Sequence, residues 1–190
     1  TMFSGGGGFD LGAVACGYVP VFGIDNNAIA VESYARNIGE HIVLGDVRTH
    51  DYSGIEANHL HASPSCKTSS MANTNKGETD FDIECAEAVC RAIAQIKPET
   101  FSLENVSNYV RTESFNKIFK ALERMSYRTS VKVYDSANFG VPQHRRRLIL
   151  RAKLRETPKD LVMTHLKNKD LDQMGLFWNY FKPLVSWYEA

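Results

Sequence analysis

The chain has 190 residues, 22 basic and 22 acidic side chains and 43% hydrophobic residues. That length fits one globular domain, and the ordinary apolar and charged fractions, with no run near the ~18 apolar residues that span a bilayer, exclude collagen-like, disordered and membrane-spanning classes. The net charge of zero conceals an uneven distribution: residues 1–104 hold 14 acidic against 6 basic side chains and residues 105–190 hold 8 against 16, so an acidic half and a basic half cancel.

Along the first 150 residues short apolar runs alternate with helix-length segments, the pattern of βαβ units and of an α/β fold with a mostly parallel sheet. Four residues precede the glycine run Gly5 to Gly8, fewer than the ~5 of a typical strand, so upstream sequence is expected. Residues 19–24 read as a strand ending at Asp25, 28–37 as a helix closed by Gly39, and 41–44 as a strand entering Gly45-Asp46. Residues 59–62 read as a short strand running into Ser63-Pro64-Ser65-Cys66, and 67–79 as a long polar loop. An amphipathic helix is expected over 81–96, a strand over 101–103 ending at Glu104, a helix over 113–125, and a strand pair over 130–134 and 147–150. Residues 156–190 join a polar stretch to the aromatics Phe177, Trp178, Tyr180, Phe181, Trp187 and Tyr188. They fall short of the ~50 residues of a second domain and read as packing or as an interface.

The chemistry-bearing residues fall at strand ends, where open α/β sheets bind ligands. The glycine run permits close backbone approach, and the helix N-terminus after it favours anionic groups. No register of the run spells G-x-G-x-x-G, and no Gly-Lys-Ser/Thr follows, so dinucleotide and P-loop readings fail. Two readings remain: a turn with two capping carboxylates, or an adenosine site in which Asp25 accepts from ribose hydroxyls and Asp46 from an adenine amino group. Cys66, at a strand end before a polar loop, is either a nucleophile or a small buried side chain, and Cys16, Cys85 and Cys90 read as buried. The four cysteines form no C-x-x-C pair and lack His partners at zinc-finger spacing. No disulfide framework or metal site is expected, and the setting is reducing and cytoplasmic. Glu104 is a proton-transfer candidate or a turn cap. Gln143, Arg145 and Arg147 would share one strand face over a ligand, or belong to a solvated strand. Six positive charges between Arg145 and Arg155, with no acid among them, form a patch suited to polyanions or to solvent.

Taken together, Phe3-Ser4-Gly5-Gly6-Gly7-Gly8, Asp25, Gly45-Asp46-Val47, Ser63-Pro64-Ser65-Cys66, Glu104-Asn105-Val106 and Gln143-x-Arg145-x-Arg147 resemble, in order, the motifs of DNA (cytosine-5) methyltransferases of bacterial or phage type. The resemblance covers about residues 1–152. It implies a doubly wound, Rossmann-like catalytic and cofactor-binding domain there, with residues 153–190 as a connector towards a target-recognition domain outside this chain. It implies methyl transfer from S-adenosylmethionine, leaving S-adenosylhomocysteine, to C5 of a flipped-out cytosine in duplex DNA. On that pattern Cys66 adds to C6, Glu104 holds or protonates N3 and Arg147 contacts O2 with Arg145 in support. Phe3, Ser4, Gly5, Gly7, Asp25, Asn26, Asp46, Val47 and Pro64 bind the cofactor, and Lys67, Ser70 and Gln143 face DNA. Ser65 stands in place of a second proline, Lys67 in place of a glutamine, and Asn26 where the family often has a residue stacking on adenine. A subunit of a split enzyme, an idle cofactor-binding module and an RNA cytosine-5 methyltransferase remain as alternatives. The resemblance implies a cytoplasmic location, at the nucleoid if bacterial, with no membrane partner.

Overall fold

The computed structural model describes residues 1–65, 77–166 and 182–183. Strand β1 (Gly23–Asp25) pairs in parallel with β2 (Ile42–Leu44), and β3 (His59–Ala62) in parallel with β4 (Thr100–Asn105). Met2 joins the two pairs, bridging Ile24 on one side and Ala62 on the other, both in parallel. Its N–H donates to the His61 carbonyl at 2.9 Å, and the side chain has no exposed surface. Beyond β4 the sheet continues through a hairpin, β5 (Tyr127–Asp135) and β6 (Arg146–Leu154), with β6 inside and antiparallel to both neighbours. The order is therefore β2, β1, Met2, β3, β4, β6, β5, and β6 alone runs against the rest.

Helices cover both faces, as a doubly wound fold requires. Helix α1 (Gly8–Ala15) follows the glycine run, and α2 (Ala28–Asn37) is started by the Asn27 side chain, which accepts from Ile29 and Ala30 N–H. Helix α3 (Asp80–Ile96) opens on a Thr79/Asp82 capping box and ends where Lys97 turns left-handed before Pro98. It buries Cys85, Ala86, Val89, Ala92 and Ile93, one apolar stripe at helical spacing. Helix α4 (Glu113–Arg124) is capped by Thr112 and buries Phe115, Ile118 and Leu122. These stripes pack with Leu148, Leu150 and Ala152 of β6 into the main core. The alternate residues Ile149, Arg151 and Lys153 face the other way, onto a groove also lined by Phe9, Gly12 and Ala13 of α1.

The expected α/β fold is found, with three local differences. The first strand does not span 19–24: Val19 and Val21 are 81% and 54% exposed, and pairing begins only where Gly23 N–H meets the His41 carbonyl at 3.0 Å. Pro20 offers no N–H to a ladder, so the preceding residues stay outside it. The hairpin is longer than its apolar runs suggest, pairing nine residues a side from Tyr127 opposite Leu154 to Asp135 opposite Arg146. Its polar alternate positions hid that length. Cys85 is buried and Cys90 partly so, each thiol pushed up to about 11 by burial, but Cys16 is exposed at the C-cap of α1, against the expectation. A short parallel pair, β7 (His165–Leu166) with β8 (Lys182–Pro183), lies beyond the main sheet. Among the described residues no helix is long and apolar enough to cross a membrane. The aromatic cluster from Phe177 to Tyr188 lies outside the described residues.

Candidate functional site

The carboxyl ends of β1 and β2 open on a small cleft, a cavity of about 140 Å³ lined by Phe3, Asp25, Asn26, Gly45, Asp46, Val47, Ser65 and Phe81. Five of the expected cofactor residues, from three separate sequence motifs, therefore share one wall of space. The glycine run reaches the cleft through Asp25, whose Oδ2 accepts from Gly5 N–H at 2.8 Å while Oδ1 accepts from Asn27 N–H at 2.9 Å. The carboxylate thus fixes the glycine turn and the start of α2 at once, with lone pairs left for a ligand hydroxyl.

Phe3 sits at φ 55°, a left-handed conformation that is uncommon for a bulky residue and clusters at ligand sites. Gly5 also lies at positive φ, 53°, with open space where a Cβ would be. Gly7 is a glycine for a different reason. It caps α1 at φ 89°, and a Cβ there would fall 2.0 Å from Ile38 Cδ1 and 2.8 Å from Tyr34 Cδ2, so a side chain would force α1 and α2 apart. The Ser4 hydroxyl engages the strand, accepting from Ile24 N–H at 3.1 Å and lying 2.8 Å from Thr1 Oγ1. Val47 is buried, and its carbonyl accepts from the Tyr52 hydroxyl at 2.9 Å.

Two residues are not signalled by the sequence motifs: Phe81, on the cleft wall, and Arg48, which supports the wall through Asp46. Arg48 forks onto Asp46, Nη2 to Oδ2 at 2.6 Å and Nε to both oxygens at 3.0 and 3.1 Å, and reaches Glu84 at 2.6 Å. The guanidinium holds the Asp46 carboxyl below the usual carboxylate range, chiefly through those side-chain hydrogen bonds. Arg48 also lies 4.7 Å from the centre of the Phe81 ring, a cation–π contact that seats the ring in the cleft. The available signals were a cation two residues after Asp46 and an aromatic opening the helix after the polar loop. Two aromatic rings, two carboxylates and a glycine turn fit an adenosine-bearing, pyrophosphate-free ligand: apolar faces for the base, acceptors for its amine and for ribose hydroxyls.

The candidate chemistry lies at the ends of β3, β4 and β6. Glu104 of β4 pairs with Arg147 of β6, Oε1 to Nε at 2.8 Å, both side chains about a quarter to a third exposed. The two residues are thereby brought together, and Glu104 is bound across the sheet instead of capping a turn. Asn105 is buried and donates from Nδ2 to the Pro64 carbonyl at 3.0 Å, tying the segment before Cys66 to β4. Gln143 and Arg145 lie before β6 begins, so the expected strand alternation reaches only Arg147. Arg145 instead donates its backbone N–H to Asp135 at 3.0 Å. Much of the basic run is matched by acids: Arg151 approaches Asp160 at 3.6 Å, and Lys153 meets Glu156 at 2.7 Å. Arg145 and Arg146 are exposed. Cys66, Lys67 and Ser70 lie outside the described residues.

A family model for the C-5 cytosine-specific DNA methylase matches residues 1–183. The type II methyltransferase M.AplI of Arthrospira platensis is 32% identical over 154 residues, covering 78% of this chain and 43% of that protein. The type II methyltransferase M.AquIA of Picosynechococcus is 25% identical, with all of this chain and 86% of that protein covered. Among solved structures the Dnmt2 methyltransferase of S. pombe has the same fold, with a TM-score of 0.69 at 21% identity over 90% of this chain and 52% of that one. The chain spans about half the length of the first curated relatives it matches.

Proposed function

Because the chain belongs to the C-5 cytosine-specific DNA methylase family, we propose that it carries the cofactor-binding and catalytic part of an enzyme that methylates C5 of cytosine in DNA. The supporting observation is the convergence of Phe3, Asp25, Asn26, Asp46 and Val47 on one cleft at the carboxyl end of a parallel sheet. S-adenosylmethionine, when bound there, supplies a methyl group on its sulfonium. Phe3 and Phe81 flank the base, Asp46 accepts from its amino group and Asp25 from the ribose. Gly5 lets the turn approach the methionine portion, Gly7 and Ser4 fix that turn against α2 and β1, and Asn26 and Val47 complete the wall, with Pro64 next to its Ser65.

Cytosine C5 is too weak a nucleophile to take a methyl group unaided. The Cys66 thiolate adds to C6, forming a C–S bond as the C5–C6 π electrons shift to leave C5 enamine-like, while Glu104 supplies a proton at N3 that neutralises the charge added to the ring and Arg147 donates to O2. C5 would then take the methyl group as the methyl–sulfonium bond breaks, leaving S-adenosylhomocysteine; the C5 proton would leave to a base, and the electron pair of that C–H bond would expel the Cys66 thiolate. The Glu104–Arg147 pair supports these assignments, since it sets an acid and a cation side by side at the ends of adjacent strands. Gln143 and Arg145, in the half of the chain with 16 basic against 8 acidic residues, contact the DNA, joined by Lys67 and Ser70 from the first half; binding weakens with added salt.

Residues 1–152 form the catalytic unit on this reading, and 153–190 connect to target recognition carried elsewhere, in the bacterial cytoplasm. A second reading, that recognition belongs to a separate chain, is favoured by M.AquIA, 86% of which this chain covers. The test is Cys66→Ser in the complete protein, with labelled methyl transfer to duplex DNA as the readout. A loss of at least ~1000-fold is expected for removal of a covalent nucleophile. Transfer at the wild-type rate contradicts the mechanism.

A further inference from the structure

The face of β3 and β4 below α1 carries a run of polar side chains where an apolar layer is the usual choice. Thr100 Oγ1, His59, Ser102, His61 and Ser63 form a continuous ladder across the two strands. His59 Nδ1 lies 2.8 Å from Thr100 Oγ1 and its Nε2 2.9 Å from Ser102 Oγ. His61 Nδ1 lies 2.8 Å from the same Ser102 Oγ and its Nε2 2.8 Å from Ser63 Oγ. Thr100 in turn donates to the Asn58 carbonyl at 3.4 Å. That terminus sets a direction for the whole ladder. Each imidazole carries its proton on Nδ1 and donates to the hydroxyl there, each Nε2 accepts from a serine, the Thr100 and Ser102 hydroxyls both donate and accept, and the Ser63 hydroxyl donates to His61. Both rings are neutral in this arrangement, and burial holds their pKa values down, to about 4 for His59 and about 3 for His61.

The ladder ends two residues short of the functional cleft. Ser63 is the first residue after β3, and Ser65, two residues on, lines the candidate cofactor cavity. On its other side His61 is stacked by Phe9 at 3.6 Å between ring centres and 3° between planes. Phe9 is the second residue of α1, whose N-terminal turn is held by Asp25 through Gly5. The stack and the Ser63 hydrogen bond thus link the glycine turn, which Asp25 of the cleft holds through Gly5, to the segment that leads from Ser63 to Ser65 on the cleft wall.

We propose that His61 is a positioning residue for the cofactor cleft, acting through Ser63 to fix the segment that runs from β3 to Ser65. The inference rests on the cofactor reading given above. An apolar layer would bury this face as well. It would not select one rotamer and one height for the strand end, which a directional network with each group satisfied does. The strand itself is only four residues long and ends at Ala62, paired with Leu103 and Met2; beyond it the backbone is held by the Met2 carbonyl, which accepts from Ser63 N–H, and by the Asn105 bond to Pro64.

The test is calorimetric titration of the 190-residue chain with S-adenosylhomocysteine, wild type against His61→Gln, His61→Asn and Ser63→Ala, with melting temperatures alongside. A Gln amide reaches the Nε2 position and keeps the Ser63 bond; an Asn amide reaches only the Nδ1 position and keeps the Ser102 bond. His61→Asn and Ser63→Ala are expected to weaken binding about tenfold, the worth of one directed hydrogen bond, while His61→Gln stays within about threefold of wild type for the same reason. Both His61 variants melt earlier. If wild type binds and the two His61 variants lose affinity equally, in step with melting temperature, or if Ser63→Ala binds as wild type does, His61 is structural only and the inference is overturned. No binding by wild type overturns the cofactor reading itself.

Discussion

The glycine turn with β1 and β2, and the arginine-rich entry to β6, were equally conspicuous in the sequence, yet they turned out differently. In the first region each signalled residue meets a partner that is backbone or cleft: Asp25 holds Gly5 and Asn27 N–H, and Phe3, Asp46 and Val47 line one cavity. In the second the run of six cations separates into unlike roles. Arg147 pairs with Glu104, Arg151 and Lys153 meet acids contributed by the chain after β6, and Arg145 precedes the strand. A motif whose meaning is a backbone shape can be read from spacing. A motif whose meaning is which acid each cation finds depends on how the chain folds, since the partners run from Glu156, close by in the sequence, to Glu104 on another strand.

The largest effect is expected from Cys66→Ser, which removes methyl transfer while leaving cofactor binding within about threefold, because a single deleted hydroxyl-for-thiol exchange changes little besides the nucleophile. Gly7→Ala comes next. Its Cβ would meet Ile38 and Tyr34 at φ 89°, and the variant is expected to lose about 3 kcal/mol in denaturant unfolding. Wild-type stability would mean that the α1–α2 contact is looser than described.

Acid sensitivity tests the polar ladder. His59 and His61 have folded pKa values of about 4 and about 3, against about 6.5 in an unfolded chain. Between those limits the unfolded state binds more protons, so their contribution is full above about pH 6.5 and is lost as pH falls towards 4. Melting temperature should therefore drop on acidification from pH 7 to 5, and drop less in His61→Gln. Phe81→Ala should weaken S-adenosylhomocysteine binding by about tenfold through loss of one aromatic face, without changing stability measurably. The smallest expected effect is on stability in Arg147→Ala, below about 1 kcal/mol because the pair is partly exposed; methyl transfer should suffer far more. A large loss of stability with activity intact would reverse the role assigned to that pair.

Much of the fold was legible because apolar runs and helix caps carry it. The helix from Ala28 to Asn37 and the strand from His59 to Ala62 sit where periodicity places them. The strand that should have occupied 19–24 failed at Pro20, which has no N–H to give, and the hairpin outgrew its apolar segments because half its positions are polar. In the site, the cleft acids and glycines were readable, whereas Arg48 and Phe81 were not. Their importance arises from a cation–π contact across 33 residues, which no local pattern encodes. The histidines of β3 looked like ordinary strand residues, and only the register against Thr100 and Ser102 turns them into a network.

The central claim is methylation of cytosine at C5 in DNA, and it is tested most directly by nucleoside analysis of duplex DNA and of tRNA after incubation with the complete protein and labelled S-adenosylmethionine. The account predicts label in 5-methyldeoxycytidine from the duplex, and none from the Cys66→Ser protein. Label confined to tRNA, or carried on a nitrogen of the base, would contradict it.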